Sequence, residues 1–134
     1  MIEVHELRAT DIPEADRIAA LSFTAETERP LFLDELGRSV ARCWVAREGS
    51  ELVGYVLVWL VIDQAEVISI AVDPLRRGRG VGRLLLDHFL AQVAADGVTA
   101  ASLDVRASNG RRLPRTRLAS ARAWLLLGDV HRRG

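Results

Sequence analysis

The residues of this chain best suited to chemistry stand together in one stretch. Positions 72–84 read Val-Asp-Pro-Leu-Arg-Arg-Gly-Arg-Gly-Val-Gly-Arg-Leu. Gly78, Gly80 and Gly82 fall within five positions, directly ahead of a segment with apolar residues at helical spacing. Glycine leaves the backbone N–H groups bare, because a Cβ would block the close approach of phosphate oxygens. The first turn of a helix adds N–H donors with no intrahelical partner and the positive end of the macrodipole. Arg76, Arg77, Arg79 and Arg83 supply positive charge around them. Together these features predict a phosphate-bearing ligand. A solvent-exposed turn is the other reading of such a loop taken alone, and the order strand, loop, helix weighs against it. The Gly-Lys-Ser/Thr ending of a Walker loop is absent, and so are the first-strand context and ribose-binding acid of a dinucleotide fold.

The elements that must position this loop follow from periodicity. Residues 2–7 alternate as a half-buried strand does. Thr10-Asp11-Ile12-Pro13 marks a helix start, and Ile12, Ala15, Ile18, Ala19 and Ser22 or Phe23 give that helix one apolar face. A short helix over 31–36 is closed by Gly37. Strands are predicted over 43–47 and 52–62, with Glu48-Gly49-Ser50-Glu51 as the hairpin turn between them. A β-branched strand over 66–72 stops at Asp73-Pro74. The helix over 81–93 presents Val81, Leu84, Leu85, His88, Phe89 and Gln92 or Val93, Gly97 ends it, and 101–105 is the next strand. The unit from 66 to 105 implies one parallel crossover in an otherwise antiparallel sheet, a mixed α/β (α+β) domain. With no internal repeat or linker, residues 1–134 read as a single domain.

Composition excludes several classes. The formal net charge is zero, so no global field points to nucleic acid or to an anionic membrane. All 18 basic residues are arginine, which excludes a lysine nucleophile or Schiff base. Cys43 is the sole cysteine, so no intrachain disulfide can form, a thiolate zinc site is not expected, and the thiol reads as buried and inert. No metal is expected. The longest apolar run, 52–62, is too short to cross a bilayer, and no signal peptide is visible; the chain reads as cytoplasmic.

Arg77, Gly80 and Gly82, following Ile70-Ala71-Val72-Asp73-Pro74, resemble the acetyl-CoA signature of the GNAT acetyltransferase superfamily. Leu103-Asp104-Val105-Arg106-Ala107-Ser108-Asn109 is similar to a stretch of the ribosomal-protein-alanine N-acetyltransferases, and the resemblance runs over about residues 2–109. It implies a sheet whose fourth and fifth strands splay around the pantetheine arm. Main-chain groups of Ile70, Ala71 and Val72 would pair with that arm. Backbone amides of Gly78, Arg79, Gly80, Val81, Gly82 and Arg83 would hold the pyrophosphate beside Arg77, and Asn109 would lie near the thioester. The implied reaction is direct acetyl transfer to a primary amine, either a protein or peptide N-terminus or a small molecule; a non-catalytic CoA-binding module is the alternative. Asp104 stands where the subfamily has a glutamate base, one methylene shorter, and Glu66 is the second candidate base. His5 and His88 read as ordinary strand and helix residues.

The C-terminal part departs from the family pattern. Where the resemblance implies a tyrosine acid the chain has Thr116, and its only tyrosine is Tyr55, in an early strand. Pro114 interrupts the expected helix, no closing hairpin is visible, and 119–127 reads as a short helix. Codons for residues 117–122 can be chosen so that an adjacent frame gives Leu-Gly-Phe-Arg-Glu, a continuation the family uses, which makes a frameshift one account of the departure. Without the hairpin the fifth strand would be an open edge, which predicts a homodimer or strand exchange.

Overall fold

Among the described residues a single sheet carries six strands in chain order. The computed structural model describes residues 1–103 and 116–118. The strands are β1 (Ile2–Glu6), β2 (Ala41–Glu48), β3 (Glu51–Val61), β4 (Gln64–Val72), β5 (Ala100–Leu103) and β6 (Thr116–Leu118). All neighbours are antiparallel except β4 and β5, which run parallel from Gln64–Ala100 to Val67–Leu103. The connection between those two is α3 (Val81–Ala95), as a parallel crossover requires. Helices α1 (Ile12–Ser22) and α2 (Phe32–Leu36) lie between β1 and β2.

Alternation along the strands divides the core between the two sheet faces. On one face Val81, Leu85, Leu86, Phe89 and Val93 of α3 pack against Trp44, Val53, Val56, Val67, Ile70 and Val72. On the other, Ala15, Ile18 and Ala19 of α1 and Phe32 of α2 cover Val45, Leu52, Tyr55, Leu57 and Ala71. The predicted face of α3 is corrected in one respect: Leu86 is buried and Leu84 is 39% exposed. Four leucines and a phenylalanine crowd this helix, and only the sheet decides which of them faces inward.

Local signals set the element ends. Gly97 at φ +91° lets α3 close with paired bonds, Val98 N–H to Val93 O at 3.0 Å and Gly97 N–H to Ala94 O at 3.1 Å. Gly49 at φ +63° makes the two-residue turn joining β2 to β3. Asp11 does not cap α1 with its side chain. Its carboxylate instead accepts from Arg8 N–H at 2.8 Å and from Arg47 Nη2 at 2.6 Å, and Arg47 also holds Glu14 of α1 at 2.7 Å. Arg47 thereby fastens the start of α1 to β2.

The expected open edge at β5 is also corrected. β6 covers it, pairing Leu103–Thr116, Ser102–Arg117 and Ala101–Leu118, so the physical ground for a strand-mediated homodimer at β5 is removed. The short helix expected over 119–127 and the suspected change of frame lie outside the described residues.

Candidate active site

The loop that leads from β4 into α3 is built by what glycine allows. Gly78 and Gly80 sit at φ +85° and +79°, in the left-handed region that costs other residues about 1–2 kcal/mol. A Cβ at either position would meet no atom within 4 Å among the described residues, so the space beside each glycine is open there. Gly80 is the N-cap of α3 and provides no side-chain cap, and the first turn contains no acid. The first helical bond runs from Leu84 N–H to Gly80 O at 2.9 Å, which leaves the N–H groups of Val81, Gly82 and Arg83 without helical partners. A helix start of this kind favours an anion. The opposite constraint holds at Gly54 of β3, where a Cβ would lie 3.0 Å from Ala71 O, 3.1 Å from Leu85 Cδ1 and 3.3 Å from Val81 Cγ1. That close approach seats the start of α3 on the sheet.

The four arginines of the loop have different roles. Arg77 is half-buried, and its Nε is enclosed without a hydrogen-bond partner among the described residues. Burial pushes its pKa down, against the opposing pull of Asp73. A cationic fork in that state suits an incoming phosphate. Arg79 and Arg83 are exposed and hold only loose partners, Glu48 at 3.5 Å and Asp87 at 3.9 Å. Arg76 is already committed to three carboxylates, Glu51 at 2.7 Å, Asp73 at 3.3 Å and Glu48 at 3.5 Å. It differs in this from the other three arginines of the loop, a distinction that depends on contacts too distant in sequence to be read from spacing.

Beside the loop, β4 offers one edge of main chain. Its pairing with β5 is described as far as Val67–Leu103, and from Ile68 to Val72 it has a strand partner only in β3 among the described residues. Asp73 N–H donates to Val53 O at 2.8 Å, and Ala71 stands opposite Tyr55 in the same phase. Ala71 therefore turns its main-chain groups to β3, whereas Ile70 and Val72 turn theirs to the β5 side. Of the three residues expected to pair with a pantetheine arm, Ala71 is out of phase.

Glu66 stands opposite Trp59 and Ser102 in the sheet register, and it is half-buried. Its neighbours Ala65 and Val67 point into the α3 side of the core, so Glu66 projects from the face covered by α1 and α2. Tyr55 is fully buried, stacks edge-on against Phe32 and shares a 2.8 Å hydrogen bond with Ser69 Oγ. Burial raises its phenol pKa above the ordinary value, so it cannot stand in for a mobile acid. The Cys43 thiol is buried as well, and burial raises its pKa in the same way. Asp104 and Asn109 lie outside the described residues, as does the side chain of Thr116. Among the described residues no cluster of acids, histidines and cysteine could hold a metal, and no helix is long and apolar enough to cross a membrane.

An uncapped helix start follows β4 directly, in a sheet with one parallel crossover among the described residues. The profile of the acetyltransferase (GNAT) family matches residues 4–114, and the chain belongs to that family. It is similar to the ribosomal protein bS18-alanine N-acetyltransferase of Escherichia coli, with 29% identity over 109 residues, 81% of this chain and 73% of that one. The enzyme of that name from Salmonella typhimurium is 30% identical over 103 residues, 77% of this chain and 69% of the relative. The crystal structure of the ribosomal-protein-S18-alanine N-acetyltransferase from Escherichia coli superposes with a TM-score of 0.69 at 26% identity, covering 95% of this chain and 76% of that one. The protein is an acetyl-CoA-dependent N-acetyltransferase.

Proposed function

We propose that the chain, as one acetyltransferase domain over residues 1–134, transfers acetyl from acetyl-CoA to the N-terminal α-amine of a protein, such as a ribosomal protein, in the cytoplasm. The observation that carries the cofactor half is the uncapped start of α3 behind Gly80, beside Arg77 Nε, which is enclosed and has no hydrogen-bond partner among the described residues. The names of the relatives support the acceptor half. In this reading the amides of residues 78–83 bind the pyrophosphate, and Ile70 and Val72 pair with the pantetheine arm. The thioester supplies an activated acetyl group. A carboxylate, Asp104 first with Glu66 as the second candidate, removes a proton from the acceptor amine. The nitrogen attacks the thioester carbonyl near Asn109, the C–S bond breaks, and the thiolate takes up a proton and leaves as the free thiol.

Binding and turnover test this reading together. Calorimetry should show acetyl-CoA binding, and thiol release should follow addition of peptides with N-terminal Ala or Ser. Release with small amines but not with peptides would overturn the protein acceptor. Absence of binding would overturn the placement of the cofactor.

A further inference from the structure

We propose that Arg76 is a positioning residue for acetyl-CoA, holding the phosphate loop against the β2–β3 turn without touching the phosphates. The inference rests on the acetyl-CoA reading of the loop. Between the end of β4 and the start of α3 the chain crosses residues 73–80, and a Cβ at Gly78 or Gly80 would touch nothing. No side-chain contact at those two glycines helps to fix the loop. Gly80 and the close approach at Gly54 seat its far end. Its near end is held by polar contacts. Asp73, with its side chain 4% exposed, accepts from Leu75 N–H at 3.0 Å and lies 3.3 Å from Arg76 Nη1 and 3.7 Å from Arg17 Nη1 of α1.

All three nitrogens of the Arg76 guanidinium face carboxylates, Nη2 at Glu51, Nε at Glu48 and Nη1 at Asp73. Glu48 ends β2 and Glu51 begins β3, so the fork joins the loop to a turn more than twenty residues earlier. The turn is itself held to α1 by Arg47, which donates to Ser50 O at 2.8 Å as well as to Asp11 and Glu14. A planar fork with three fixed acceptors defines one loop position; a single ammonium group would not. Glu48 also lies 3.5 Å from Arg79, so the same carboxylate orients a phosphate-facing cation.

The test uses the full chain with acetyl-CoA itself. Arg76→Ala should raise the Kd and KM for acetyl-CoA roughly tenfold while kcat at saturating acetyl-CoA stays within about twofold. Combined Glu48→Gln and Glu51→Gln substitution should weaken binding in the same direction, and adding Arg76→Ala to that pair should change little more. A direct phosphate ligand would behave oppositely, because removing its carboxylate partners would free it and tighten binding. Tighter binding in the glutamine pair, or an unchanged Kd in Arg76→Ala while the parent chain binds, overturns the proposal alone. Failure of the parent chain to bind acetyl-CoA overturns the reading beneath it.

Discussion

At the residue scale, three side-chain choices decide whether the site can work. Gly80→Glu places a negative charge and a Cβ in the anion space, at a φ of +79° that a side chain tolerates poorly. Calorimetry should then detect no acetyl-CoA binding, with the fold retained by circular dichroism. Asp104→Ala and Glu66→Gln separate the two bases: the true one should lose about 10²–10⁴-fold in kcat with acetyl-CoA affinity unchanged. An equal, small loss in both would leave neither carboxylate as the base. The glycine spacing and Arg77 were legible from the sequence because a phosphate loop is a local object. The commitment of Arg76 was not, since Glu48 and Glu51 lie 28 and 25 positions away. Nor was the fate of Tyr55, which the bond to Ser69 and the ring of Phe32 place in the core.

At the element scale, the strand and helix order was readable because turn glycines and β-branched runs mark it. The ends moved by at most two residues, and β6 was missed because three residues carry no periodicity of their own. Helix α3 connects the core to the site. Phe89 is fully buried beneath it, and Phe89→Ala should cost about 3–5 kcal/mol by denaturant unfolding. Gly54→Ala tests the seating of its first turn. The added methyl must displace Ala71 O, Leu85 or Val81, at a cost of about 1–3 kcal/mol. If the contact positions the loop, acetyl-CoA affinity should fall along with stability. Stability lost with affinity intact would confine Gly54 to packing.

Across the whole molecule, acid resistance depends on the network that joins α1 to β2. Burial alone would raise the Asp11 carboxyl, but Arg47 and the Arg8 N–H outweigh it and hold the group below its ordinary 3.8. The hydrogen bond from Arg47, with the Leu52 N–H, holds Glu14 below its ordinary 4.5. Both groups bind protons more readily when the chain is unfolded. Their stabilisation is therefore complete above those ordinary values and is lost as pH falls through the lowered ones. Arg47→Ala should cost about 2–3 kcal/mol at neutral pH and flatten the acid limb of a plot of unfolding midpoint against pH. An acid limb as steep as the parent's would remove this network as its source.

Among the described residues β4 has a strand partner on one side only from Ile68 to Val72, which bears on how the molecule exchanges with solvent. Ala71 and Asp73 direct their amides to β3, whereas those of Ile70 and Val72 are directed to the β5 side. Without acetyl-CoA, amide deuteration along 70–73 should alternate, fast at the even positions and slow at the odd ones. Bound acetyl-CoA should slow the even pair and leave the odd pair as it was. The amides of Ile70 and Val72 would then report, by deuterium uptake alone, when the cleft is filled.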